Sequence, residues 1–256
     1  MKNTKEFRDL AIAIVVLTLV FGFNDKQSTF ALGNWLANLV RTLFTIIIGV
    51  LVYWGAQKWM AQKLGFDCEF RLWGIKKLGF TGDPSFPKTL KFLGREFTIE
   101  ALPLGAIIAL LLMLLTNGRL YFAAVCSFAM VVSHTQRLGK GRFVGPTEMD
   151  EGKIAAAGSL ALFFLVVLFH ILNSREIFGQ FILIYSVMTV FQLLPLPGLN
   201  GFTILMGSPL TYIFVALFAI VGVVLLHFVS AVIALILGLL VAGIVFFLYL
   251  YYRVYK

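Results

Sequence analysis

The chain has 256 residues, 60% of them hydrophobic and only 13% charged, and a mean hydropathy of +0.95. Soluble domains sit nearer about 45–50% apolar and about 25% charged, so a water-soluble globule, a nucleic-acid-binding protein and a disordered tail are excluded. The net charge of +9 does not reopen the nucleic-acid reading, because Lys and Arg fall between the apolar blocks, the pattern of a polytopic membrane protein.

Lys2, Lys5 and Arg8 precede a first apolar block at 10–23. No small-residue cleavage site comes before Asn24, so an uncleaved first helix is expected rather than a signal peptide. Arg41 precedes the second block, 43–56, and is placed to snorkel to the outer interface. The segment 57–100 carries eight Lys and Arg, and within it 66–73 is short, rich in aromatics and partly alternating. Two further blocks, 101–115 and 120–132, flank Thr116, Asn117, Gly118 and Arg119 and form a hairpin; a re-entrant loop, or a second arm in β conformation, is the alternative. Glu148, Asp150 and Glu151 make an acidic helix start that suits the helix dipole.

Blocks at 154–172 and 177–194 follow, then one run at 210–250. As a single helix that run would measure about 61 Å, twice a bilayer core of about 30 Å. It is therefore expected to turn near 227–230 and form a helix pair. The last helix has small residues Ser230, Ala234, Gly238 and Ala242 every fourth position, a stripe for close packing within the chain or, on the sharper reading, for a dimer. Tyr249, Tyr251, Tyr252 and Tyr255 beside Arg253 and Lys256 read as an interfacial aromatic belt.

With both termini in the cytosol, 17 of the 21 basic residues lie on the cytosolic side. The expected fold class is an all-α polytopic membrane protein of about six to eight transmembrane helices with a small β element. It forms a single domain over 1–256. Cys68 and Cys126 are expected as free thiols. His134 reads as solvated, while His170 and His227 read as structural residues near helix ends.

Two stretches resemble the site-2 protease family of intramembrane zinc metalloproteases, in an archaeal-type form. YWGAQKWMAQKLG at 53–65 is similar to the HExxHxxxAxxxG pattern, with Ala61 and Gly65 in its last two places, and FDCEFRLW follows it. FQLLPLPGLNGF at 191–202 is similar to NLLPxPxLDGG, and IAAAGSLAL at 154–162 resembles the AGPLxN stretch between them. The resemblance implies a core at about 43–202, with the helix pair 210–250 beyond it. It places Tyr53 and Gln57 where zinc-binding histidines would stand, Trp54 in place of the glutamate that activates water, and Asn200 in place of the aspartate.

All four chemical residues of that pattern are thus replaced, and neither zinc nor any other cofactor is expected. The residues alone agree, since no histidine precedes His134 and an HExxH motif is impossible on the second helix. No Asp lies in an apolar block for an aspartyl pair, and no GxSG is present for a serine protease. Tyr53, Gln57 and Asn200 either hydrogen-bond one another and plug the former site or line a polar cleft.

The resemblance also makes 66–73 a membrane-associated β element with Phe66, Glu69, Phe70, Arg71 and Trp73 as candidate peptide contacts, by strand addition. The first reading of function is a catalytically inactive relative that binds or scaffolds transmembrane or extended segments in a prokaryotic plasma membrane. Its expected partners are the bilayer, a membrane protein or its transmembrane segment, and another copy of itself. The alternative is a membrane metallopeptidase with atypical or partner-supplied ligands. A transporter is weakly supported, because the helices carry few charges and no paired half-helix breaks.

Overall fold

A computed structural model describes residues 2–25, 27, 31–75, 88–92, 95–99, 101–131, 146–173 and 177–255, by backbone alone at 2–4, 88–92, 95–99 and 253–255. The described chain is mostly helical. In order it runs α1 (Lys2–Gly22), α2 (Leu32–Leu64), β1 (Asp67–Leu72), β2 (Lys88–Phe92), β3 (Arg95–Ile99), α3 (Leu104–Leu115), β4 (Cys126–Val131), α4 (Glu148–Leu172), α5 (Gly179–Gln192), α6 (Asn200–Gly207), α7 (Pro209–Leu225) and α8 (Ala231–Tyr255). His134 lies outside the described residues.

Among the described residues three helices are long and apolar enough to cross a membrane: α2, α4 and the Ala231–Tyr252 portion of α8. Helices α3, α5 and α7 are apolar but shorter. Many large apolar side chains face outward, among them Phe44, Leu51, Phe164, Ile236, Leu240 and Phe247. Water would penalise such a surface and lipid would not.

Helices α1 and α2 form an antiparallel pair. The buried residues of α1 recur at helical spacing (Leu10, Ala13, Leu17, Val20), so one stripe faces inward. The carbonyls left open where α1 ends are satisfied from the start of α2: Trp35 Nε1 donates to Phe23 O at 2.9 Å and Asn38 Nδ2 to Gly22 O at 2.9 Å. At the far end α2 stops at Gly65, whose φ of 87° is the left-handed cap that glycine adopts without cost. Ala61, one turn earlier, is fully buried.

Helix α4 begins with a capping box, in which Thr147 Oγ1 accepts from Asp150 N at 3.2 Å and the Asp150 carboxylate accepts from Thr147 N at 3.3 Å. It packs on α2, α5 and α6 and forms the centre of the bundle. Gly158 permits this closeness, because a Cβ there would lie 2.8 Å from the Gln57 side chain.

The 101–131 region leaves as α3, turns at Thr116–Gly118 with Asn117 at φ 53°, and returns extended into β4. The second arm is thus a strand. β4 pairs antiparallel with β1, Phe70 opposite Phe128 and Arg71 opposite Ser127. A continuous apolar run such as 120–132 does not distinguish a buried strand from a helix by periodicity. A second hairpin pairs β2 with β3.

The 210–250 run breaks at 226–230 between α7 and α8. Ala234, Gly238 and Ala242 are buried on one face of α8, and a Cβ on Gly238 would sit 3.4 Å from Phe218 O of α7. The small-residue stripe therefore packs within the chain. Ser230, at its start, is exposed.

Candidate functional site

Tyr53 and Gln57 lie one turn apart on the inward face of α2, as positions i and i+4 must. Asn200, the first residue of α6, meets them in the core. Tyr53 Oη donates to Asn200 Oδ1 at 3.1 Å, and Gln57 Nε2 reaches the same oxygen at 3.4 Å. Asn200 Nδ2 donates in turn to Ala155 O at 3.1 Å and Ser159 Oγ at 3.0 Å, both on α4. Gln192, near the end of α5, lies 3.4 Å from Tyr53 Oη and donates to Cys126 O at 3.0 Å. One asparagine thus joins α2, α4 and α6, and Tyr53 extends the network to α5.

Tyr53, Gln57, Ser159, Gln192 and Asn200 are buried to within 1%. Every member is a hydroxyl or carboxamide, and none offers a base, an acid or a nucleophile near neutral pH. Zinc requires imidazole, thiolate or carboxylate donors. A phenol and two carboxamides do not fit it, and Asn200 Oδ1 is already engaged by two donors. Among the described residues no group of three or more His, Cys, Asp or Glu side chains could hold a metal ion. Gln57 Oε1 is buried with no partner.

Trp54 and Lys58 are the neighbours of Tyr53 and Gln57 but point elsewhere, toward α1. Trp54 Nε1 donates to Glu6 Oε1 at 2.8 Å, Lys58 Nζ to Glu6 Oε2 at 3.2 Å and the Phe70 N–H to Glu6 Oε1 at 2.9 Å. Lys58 also lies over the Trp54 ring at 4.5 Å. Burial alone would raise the Glu6 carboxyl. The Phe70 N–H, the Trp54 indole and Lys58 outweigh it and hold the group below its ordinary range.

Glu6 is the residue that the sequence conceals. A lone glutamate among basic N-terminal residues reads as solvated, and its partners lie 48 to 64 positions away. Gln192 and Ser159, by contrast, lie within the two stretches that the sequence singles out, 191–202 and 154–162.

The residues of 66–73 divide. Phe70 is fully buried and Trp73 nearly so, with Trp73 Nε1 donating to Pro197 O at 2.8 Å. These two hold the core together. Glu69 and Arg71 form an ion pair at 3.0 Å, and Phe66 is half-buried. Burial pushes the Cys68 thiol up to about 12, with Asp67 adding to it, and Cys126 up to about 12. Both are free thiols in the described structure.

Next to this strand pair lies a groove of about 560 Å³, bounded by Arg8 and Ile12 of α1, Arg71 of β1, Ala129 of β4, Pro103 and Gly198. Phe70 turns its N–H away from β4, so Phe70 and Phe128 form a pair without mutual hydrogen bonds, and Phe128 and Met130 aim their backbone groups away from β1. No strand among the described residues lies beside that edge of β4.

The fold and the two polar centres define, among the described residues, a mostly helical chain with three helices long and apolar enough to cross a bilayer and a neutral, sealed hub at its centre. No protein family, no curated protein and no solved structure matches it in comparison.

Proposed function

We propose that this chain is a catalytically inactive relative of the site-2 proteases that binds extended or transmembrane segments of other membrane proteins. The observation that carries the reading is the Asn200 hub. The positions that resemble a zinc site converge, but on neutral side chains that bond one another. The hub acts as filler that ties α2, α4, α5 and α6 together. The working surface is the groove beside β4, whose edge at Phe128 and Met130, beyond the Cys126 carbonyl that Gln192 occupies, suits an added strand.

In this reading the shorter helices and α1 complete a bundle of about six to eight crossings. Both termini face the cytosol of a prokaryotic cell, and the groove opens on that side.

Metal analysis tests the reading. The purified protein is expected to carry no zinc, whereas the triple substitution Tyr53→His, Gln57→His and Asn200→Asp is expected to bind one equivalent. The three positions already meet around a single oxygen, at 3.1 and 3.4 Å. Stoichiometric zinc in the natural chain would overturn the proposal in favour of a metallopeptidase with atypical ligands.

A further inference from the structure

His170 stands in the last turn of α4, His227 follows α7, and both border one cavity of about 620 Å³ between α5 and α7. Packing brings them to the same end of the bundle. Phe163 of α4 meets Phe218 of α7 at 5.1 Å between ring centroids and takes the space that a Cβ on Gly222 would need. Phe169, one residue before His170, stacks at 4.8 Å on Phe181 near the start of α5. The half-buried His170, the exposed His227 and Gly179 thus form a polar mouth.

From the mouth the cavity follows one face of α5. Its lining residues there recur three and four apart, from Gly179 through Leu183 and Val187 to Phe191. At about 1.5 Å per residue that stripe is about 18 Å long. A bilayer core of about 30 Å holds two layers of chains, so the cavity has the reach of one. Ile182, Val190, Val223 and Leu226 make its walls aliphatic. A helix about 10 Å across and of that length would fill about 1,400 Å³, more than twice the cavity. A single extended chain fits, and a transmembrane segment does not.

The mouth decides what that chain carries. His227 Nδ1 lies 2.9 Å from Val223 O, and a carbonyl only accepts, so Nδ1 holds the hydrogen and Nε2 is left for a ligand. His170 makes no hydrogen bond among the described residues. Zinc takes three or more protein ligands, and no third His, Cys, Asp or Glu joins the pair among the described residues. A phosphate would find no Lys or Arg among the described residues that line the cavity. A carboxyl group suits two imidazoles, because it has an oxygen for each and shares its proton with a ring in a charge-assisted hydrogen bond. We infer that the cavity binds a long-chain carboxylic acid, its alkyl chain along α5 and its carboxyl group at His170 and His227.

The test is native mass spectrometry of the full chain, equilibrated with equal amounts of myristic acid, myristyl alcohol and methyl myristate. The three share one alkyl chain and differ at the polar end. The natural protein is expected to retain one myristic acid, preferred by about tenfold over the alcohol and the ester, as one charge-assisted hydrogen bond implies. His170→Leu and His227→Leu together should remove that preference, and Val187→Trp should abolish retention of all three by filling the cavity. Equal retention of acid, alcohol and ester by the natural protein, or retention of none, would overturn the inference without any variant having to fold. An unchanged preference in the double variant would overturn it too, as would undiminished retention by Val187→Trp.

Discussion

One turn of α2 supplies two centres of different character. Tyr53 and Gln57 face inward to Asn200, where everything is neutral and no atom meets water. Trp54 and Lys58, each one residue on, face α1 and surround a carboxylate at the edge of the bundle. The difference shows where this chain tolerates charge. Glu6 ionises because three donors reach it and Lys58 remains partly exposed. At the inner centre an ion would lie deep among apolar helices, and carboxamides bind the helices without that penalty.

The comparison breaks most readily at Asn200. Asn200→Ala removes the shared acceptor of Tyr53 and Gln57 together with the donor to α4. It is expected to cost about 3 kcal/mol, because two buried donors lose their partner at about 1–3 kcal/mol each. Reversible unfolding in detergent would register it, and the deficit should be the same at every pH between 4 and 8, on the order of the neutral range, since nothing in that centre titrates there.

Glu6→Gln keeps the shape and removes the charge, with an expected loss of about 1–2 kcal/mol at neutral pH. Here pH matters. The folded carboxyl lies below its unfolded value of about 4.3, so its contribution is full above that value and disappears as pH falls through the folded one. Acid titration of the natural protein against Glu6→Gln should therefore bring the two stabilities together at low pH. A constant difference would remove the ionic reading of this centre.

The smallest effect is expected at Gln57. Its one hydrogen bond is long, at 3.4 Å, and its carbonyl oxygen is buried without a partner. Gln57→Leu replaces a poorly satisfied amide with an apolar group of similar volume and should change stability by less than about 1 kcal/mol in either direction. A loss as large as that of Asn200→Ala would place Gln57 at the heart of the network.

Much of this arrangement is legible in the sequence, and unevenly so. The spacing of Tyr53, Gln57, Ala61 and Gly65 marks the inward face and the end of α2 before any contact is seen. The length of the 210–250 run requires a turn, and the polar residues near its middle locate it. The strand at Cys126–Val131 is concealed inside an apolar run with no alternation. Glu6 is concealed differently: it is a lone glutamate in a basic, polar stretch, and only its tertiary contacts set it apart. Phe70 and Trp73 look like an aromatic binding strip, yet both are buried: Phe70 is on the core face of β1, which alternation does not identify, and Trp73 lies past the strand's end, where its indole is tied to Pro197 O.

The most direct measurement of the central claim is photo-crosslinking in native membranes from two positions, Ala129 in the groove and Gln57 in the hub. If the groove is the working surface, Ala129→p-benzoylphenylalanine captures a membrane protein, and linked residues in that client recur at a spacing of two, as an added strand requires. From Gln57 only links within the chain should form. Client capture from Gln57 with lipid alone at Ala129 would contradict the claim and make the hub an open cleft.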